Sequence, residues 1–347
     1  MSRWALLLSL ILLQLSHLYF AFKFYSQPGF ALAHKILLDV LPTFEPHYYQ
    51  IDGICKVLDG IDLVAVTLTG SGKTGYIFLT ILIMIAIANT PALCSAVKFC
   101  KDPAIIVVFP TDSIEQQMEE NMAKLGIVAL VINSDTVAAA RMRGEDIWIK
   151  ARAGISMLIL GHEQLISQGF RAFLAFEAFI SQGFRALLAF EAFFYRIYAL
   201  AVDEIHLLVH WGLTFRKTFL QIGFMRSRFR AGIPIMGLTA TLLADPRVEN
   251  TIFAILGVSR GEFHLIRRSN ARHDIQILFR ELRSGIDGRS FPEIAWVLKG
   301  MDKTLIFCAT ISLVFRVKAY LNGLLGTDSN RQSRVTYPRV DVEYSSR

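Results

Sequence analysis

The segment Thr67-Leu-Thr-Gly-Ser-Gly-Lys-Thr74 holds the residues of this chain best suited to gripping a phosphate. Glycines at 70 and 72 let a backbone wrap close to an anion, so that its amides donate to it. The Lys73 ammonium then suits β- and γ-phosphate oxygens, and the Thr74 hydroxyl suits Mg²⁺. Thr69, Gly70, Ser71, Gly72, Lys73 and Thr74 are therefore the candidate nucleotide-binding residues. The strict GxxxxGK[ST] spacing is broken at its first position, where Thr67 stands in place of glycine. A second constellation, Val202-Asp-Glu-Ile-His206, lies far downstream. An aspartate at the end of an apolar run is placed to hold Mg²⁺, and the glutamate beside it to activate an attacking water. Asp203 joins Thr74 as candidate metal ligand, and Glu204 is the candidate catalytic base, with Lys73 and His206 in the same machinery.

Such residues must be positioned by a rigid frame. The runs Leu63–Leu68, Ala104–Phe109, Ile127–Ile132, Ser156–Leu160, Tyr198–Val202 and Ile233–Leu238 are near-continuously apolar. Strands buried on both faces of a parallel sheet have that character, and helical stretches separate the runs, which predicts a doubly wound α/β fold. The apolar run Ile77–Ala88 follows the glycine loop at once and is too short to span a bilayer, so it reads as the loop's buried helix. The expected organisation is a hydrophobic segment over residues 1–25, a nucleotide-binding domain over 26–262, a smaller α/β segment over 263–326 and a disordered tail over 327–347. Within the third part, His264–His273 reads as a polar, basic loop, and Ile275–Phe279 and Thr304–Cys308 as strands. Ile166–Phe179 is repeated almost unchanged as Ile180–Phe193, a tandem duplication whose 14-residue period matches no solenoid unit.

Bulk composition narrows the partners. Lys and Arg exceed Asp and Glu by 36 to 29, a net charge of +7, which suits a polyanion. The basic residues fall in short clusters around Arg141–Arg152, Arg226–Arg230 and Arg267–Arg272, each of which alone reads as solvated surface. Four cysteines without a CxxC pair or histidines at ligand spacing support neither zinc nor a disulfide framework, so a reducing compartment is expected. The uncharged stretch Trp4–Phe22 barely reaches the length of a membrane span and carries polar residues; an anchor and a packed helix both fit it. Nothing in the sequence fixes an oligomeric state.

The motifs together resemble a known family. TGSGKT, DEIH and Gly237-Leu-Thr-Ala-Thr241 are similar, in order, to motifs I, II and III of superfamily-two helicases. His206–Phe219, with Trp211, Phe215 and Arg216, looks like the aromatic-rich loop of RecQ-like helicases, which contacts single-stranded DNA. Aromatic faces stack on any base while nearby cations meet the backbone, so the role is physically apt. The resemblance implies a RecA-like P-loop NTPase domain followed by part of a second one, with ATP and Mg²⁺ as cofactors and single-stranded or partly duplex DNA as partner. It further implies 3′-to-5′ unwinding, a nuclear location, an adenine-reading role for Gln50, and Thr239 and Thr241 as links from hydrolysis to domain movement. Phe109-Pro-Thr-Asp112 resembles motif Ia, Arg267–Arg272 the linker to a second domain, and Leu305–Cys308 that domain's first strand. His47 stands where the family has arginine, and Ile205 where it has alanine. No counterpart of motifs V and VI follows, including the arginine finger that is typically worth about 10³–10⁵ in rate. Slow hydrolysis by this chain alone is the expectation. An inactive ATP- and DNA-binding remnant and a membrane-associated nucleotide-binding protein remain the alternatives.

Overall fold

A computed structural model describes residues 22–109, 112–152, 154–166, 195–210, 222–226, 233–259, 261–271, 281–298, 304 and 306–325. Trp211, Phe215 and Arg216 lie outside the described residues, as do Trp4–Phe22 apart from Phe22, the tandem repeat apart from Ile166, Ile275–Phe279 and the tail from Gly326. The chain divides into two compact units, Met1–Arg272 and His273–Arg347.

The first unit is built on helices α1 (Gln27–Val40) and α2 (Tyr48–Leu58), strand β1 (Asp62–Val66), helix α3 (Gly75–Asn89), strand β2 (Ala104–Phe109), helix α4 (Asp112–Lys124) and strand β3 (Ala129–Ile132). It continues through α5 (Ser134–Met142), β4 (Met157–Gly161), β5 (Ile197–Val202), β6 (Ile235–Thr239), α6 (Pro246–Leu256) and β7 (Phe263–Arg267). The seven strands form one sheet in the order β3-β4-β2-β5-β6-β1-β7, and every pairing is parallel. Parallel pairing requires crossovers, and these place helices on both faces. Within β1, Leu63 and Ala65 join one core with Ile54, Tyr76 and Leu79, whereas Val64 and Val66 join the other with Val108, Leu200 and Phe253. That alternation explains the unbroken apolar runs. Each side chain enters a core, whichever face it points to.

Local signals set the helix starts. The Ser26 side chain accepts from the Gly29 N–H and Pro28 lies in the first turn of α1, while Asp245 caps α6 ahead of Pro246. Helix α3 is apolar almost all round and ten of its fifteen residues are buried, as its lack of an exposed face requires. Among the described residues no helix is long and apolar enough to cross a membrane.

Phe263–Arg267, anticipated as the end of a boundary and the start of a polar loop, is strand β7, and it pairs with β1 from Asp62↔Phe263 to Val66↔Arg267. Only Ile266 in it is buried, because β7 is the sheet's edge, so no continuous apolar run announces it. The second unit packs Phe291, Val317 and Leu321 between a 3-10 segment (Pro292–Leu298) and helix α7 (Ile311–Leu325). Thr304 and Ile306–Cys308, expected in a strand, are not in one. All four cysteines are free.

Arg196 ties the amino ends of three neighbouring strands. It immediately precedes β5 and is 8% exposed. Its guanidinium donates to Asp102 O, ahead of β2, and to Arg152 O and Ile155 O, ahead of β4, each at 2.7 Å. Each hydrogen bond to a charged donor contributes about 1.5–3 kcal/mol net. Arg196→Met keeps the stem but strands three carbonyls, and is expected to cost about 3 kcal/mol or more. At about 2–4 °C per kcal/mol, a Tm lower by about 6 °C or more should appear in thermal denaturation; an unchanged Tm would mean water replaces the guanidinium at no cost.

Candidate nucleotide site

The glycine loop leaves the carboxyl end of β1 and enters α3. Gly70 (φ 86°) and Gly72 (φ 76°) both occupy the left-handed region, which glycine takes without strain and which lets successive amides converge on an anion. The loop is braced from beneath. Ser71 Oγ donates to Thr67 Oγ1 at 2.9 Å, and Thr67 N–H donates to Thr239 O at 3.0 Å, fixing the root of the loop to β6. Thr67, in the place of the family's first glycine, is fully buried and makes this brace.

Gln50, expected at adenine, is turned inward and 1% exposed. Its Oε1 accepts from His47 N–H at 2.9 Å and its Nε2 donates to Gly72 O at 2.9 Å. The contacts observed are with backbone, one at the cap of its own helix and one on the loop. Tyr49, its neighbour on the first turn of α2, donates its hydroxyl to Ser71 O at 3.0 Å. The motifs do not mark Tyr49, and adjacency to Gln50 is the one signal for it.

The Gln50 amide makes a demand on Gly75. A Cβ there would lie 2.6 Å from Gln50 Nε2 and 3.5 Å from Cδ. Gly75→Ala should therefore push Gln50 off Gly72 O and lower stability by about 1–3 kcal/mol, the usual cost of overpacking. Adding Gln50→Ala removes the obstacle, so the double variant should melt above the sum of the two losses. Strictly additive Tm changes would refute the clash.

The acidic constellation sits at the carboxyl end of β5. In the sheet, β6 alone separates β5 from β1. Two strand steps of about 4.8 Å put roughly 10 Å between the two strand ends, room for phosphates and a metal. Burial pushes Asp203 up to about 6, the neighbouring Glu204 charge adds to this, and the Lys73 charge opposes it. Burial also raises Glu204, but contact with His206 and the charges of Lys73 and His206 outweigh it, leaving the carboxyl below its usual range. Lys73 thus acts on both carboxylates across the gap. Glu204 has φ 50°, the sole non-glycine with positive φ among the described residues. A residue with a Cβ held there is strained, and such strain gathers at functional sites.

Motif III closes the network. His206 Nδ1 lies 2.8 Å from Thr239 Oγ1 and 3.2 Å from Glu204 Oε2. Thr239, fully buried, also receives the Thr241 N–H at 3.2 Å on its hydroxyl. The structure therefore brings Lys73, Asp203, Glu204, His206, Thr239 and Thr241 into one cluster around the loop. Thr69, Gly70, Ser71, Gly72 and Thr74 lie on the loop itself, and the Thr74 hydroxyl does not cap α3. Arg226, counted in a basic cluster, instead turns to Asp62 Oδ1 at 2.8 Å and Gly257 O at 2.8 Å, a structural role. The donor set fits Mg²⁺ with a nucleotide. A buried carboxylate held up near 6 gains from a cation, a threonine hydroxyl is a hard oxygen ligand, and both stand by a glycine cradle.

The DEAD/DEAH box helicase family matches residues 48–248, more than half of the 347-residue chain. The chain belongs to this family. A DEAD/DEAH box domain implies the use of ATP, with Mg²⁺ its usual companion, and the α/β sheet is of the RecA-like helicase kind. Among curated relatives, the chain is 22% identical over 235 residues to the ATP-dependent DNA helicase RecQ of Haemophilus influenzae, covering 67% of this chain and 32% of that protein. It is 27% identical over 195 residues to the ATP-dependent DNA helicase hus2/rqh1 of Schizosaccharomyces pombe, covering 55% of this chain and 12% of that one. The chain thus spans about a third or less of the length of these relatives. Among solved structures, the DUF1998 helicase MrfA bound to DNA and AMPPNP superposes with a TM-score of 0.57 at 16% identity, over 87% of this chain and 39% of that one, a likeness of fold.

Proposed function

We propose that this DEAD/DEAH box chain carries the ATP-hydrolysing part of a RecQ-like DNA helicase that moves 3′ to 5′. The observation that carries the reading is the convergence of the Lys73 charge and the Asp203–Glu204 pair across the single strand β6. The relatives named ATP-dependent DNA helicases support the choice of substrate.

In this reading the loop amides and Lys73 hold the β- and γ-phosphates, and Thr74 and Asp203 hold Mg²⁺. Bound Mg²⁺ supplies charge neutralisation on the phosphate oxygens. Glu204 orients the attacking water and accepts its proton on a carboxylate oxygen. Its strained backbone and its contacts with His206 and Thr239 fix the direction of that carboxylate. Thr239 borders both ends of the reaction, since its carbonyl meets the root of the phosphate loop and its hydroxyl meets His206. A change at Glu204 therefore reaches Thr241 in two contacts, both made by the Thr239 hydroxyl. Trp211 and Phe215 stack on single-stranded DNA in this scheme, with Arg216 at the backbone.

The experiment is ATP hydrolysis by the full chain with and without single-stranded DNA, together with unwinding of duplexes tailed at either end. Stimulation by DNA and a preference for a 3′ tail are expected. Stimulation by single-stranded RNA but not DNA, or a 5′ preference, would overturn the assignment.

A further inference from the structure

We propose that Arg268 is a positioning residue of the phosphate loop and acts on Ser71 through the ring of Tyr49. The inference rests on the nucleotide-site reading above and adds two residues, Tyr49 and Arg268, to which no motif above assigns a role.

Arg268 is the first residue after β7. Its N–H donates to Val66 O at 2.9 Å, which anchors it beside the point where β1 ends and the loop begins. Its guanidinium carbon lies 4.4 Å from the centroid of the Tyr49 ring, a cation–π contact. His47 stacks on the same tyrosine, with centroids 5.0 Å apart and planes 17° apart. Two partners on one ring leave it little freedom, and the hydroxyl at its end donates to Ser71 O. The contacts run from Val66 through Arg268 and Tyr49 to Ser71, and the loop itself leads back to Val66.

The orientation of one peptide gives the circuit its effect. A trans peptide is planar, so its C=O and N–H point in opposite directions. Tyr49 holds the Ser71 carbonyl toward α2, which turns the Gly72 N–H away from it. Gln50 does the same to the Gly72 carbonyl, at 2.9 Å, and so turns the Lys73 N–H. Neighbouring residues of α2 thus set two successive amides in the attitude an anion needs. Gln50 is buried and stays put unaided, whereas Tyr49 is only half-buried and needs its ring held. Arg268 and His47 supply the hold.

The test measures binding of a non-hydrolysable ATP analogue with Mg²⁺, and separately of inorganic tripolyphosphate, to the full chain. The variants are Tyr49→Phe, which keeps the ring and loses the hydroxyl, Arg268→Ala, their double and Arg268→Lys. Each single variant should weaken both ligands by about two- to fivefold at unchanged Tm, as expected for an exposed cation–π contact. The double should be no weaker than the worse single, and Arg268→Lys should recover part of the loss. Wild-type affinity in either single variant, or losses that multiply in the double, would refute the pairing. Weakening for the ATP analogue but not tripolyphosphate would also refute it, because Arg268 would then be touching the base. Lys73→Ala is the control: if it retains affinity, the site assignment falls and takes the pair with it. If it loses affinity while Arg268→Ala does not, the pair alone falls.

Discussion

Replacing Lys73 with alanine is expected to weaken ATP·Mg binding by roughly thirtyfold to several thousandfold while leaving the fold intact. Truncating one partner of a desolvated charge pair costs about 2–5 kcal/mol, and each 1.4 kcal/mol is about a factor of ten. Lys73 is only half-buried and its charge acts on Asp203 and Glu204, so little packed volume is lost. Its charge also steadies Asp203 and Glu204, so the variant brings uncompensated negative charge to the place where triphosphate must sit. Titration with a fluorescent ATP analogue, beside a melting curve, separates the outcomes. Undiminished affinity would remove the loop from the proposed mechanism, and a collapse of Tm with affinity would make Lys73 structural.

Glu204→Gln should do the reverse, abolishing turnover while sparing binding. A positioned base contributes about 10²–10⁴ in rate, and glutamine keeps the shape and the Thr239 contact but cannot take a proton. Single-turnover hydrolysis is therefore expected to slow by about that factor, with nucleotide affinity near wild type. A loss below tenfold would assign the water-activating role to another group. His206 offers a graded comparison. His206→Ala leaves the base in place but frees it from one of the two contacts that aim it, so a smaller loss of rate should follow.

How much of this could be read from residues alone depended on burial and on distance along the chain. Ala104–Phe109 matches its strand end to end, because all six side chains are buried and the apolar run has nowhere else to stop. The runs at Leu63–Leu68 and Ile127–Ile132 predict strands shifted by a residue or two, since Thr67 and Leu68 are apolar enough to extend a run yet already belong to the loop. β7 escapes because an edge strand with one buried residue carries no pattern. The loop and DEIH announce themselves, as phosphate and metal chemistry tolerate few residue types. Gln50 does not: the motif specifies an amide, and only the fold shows that the amide points inward. The positive φ of Glu204 and the Tyr49–Arg268 contact are equally silent, one being a backbone property and the other joining residues more than two hundred apart.

The sheet order also sets a clock. Among the described residues β1 finds strand partners only in β6 and β7, with Leu63 opposite Met236 and His264. A ribosome adding roughly 5–20 residues per second needs on the order of 10–35 s to deliver Met236 after Leu63 has emerged. Throughout that interval β1 has no strand to pair with. The half-made protein therefore carries the all-apolar stretch Leu63–Val66 unpaired for longer than most small domains take to fold. Its yield in a cell should depend on chaperones that bind nascent apolar segments for as long as β1 waits.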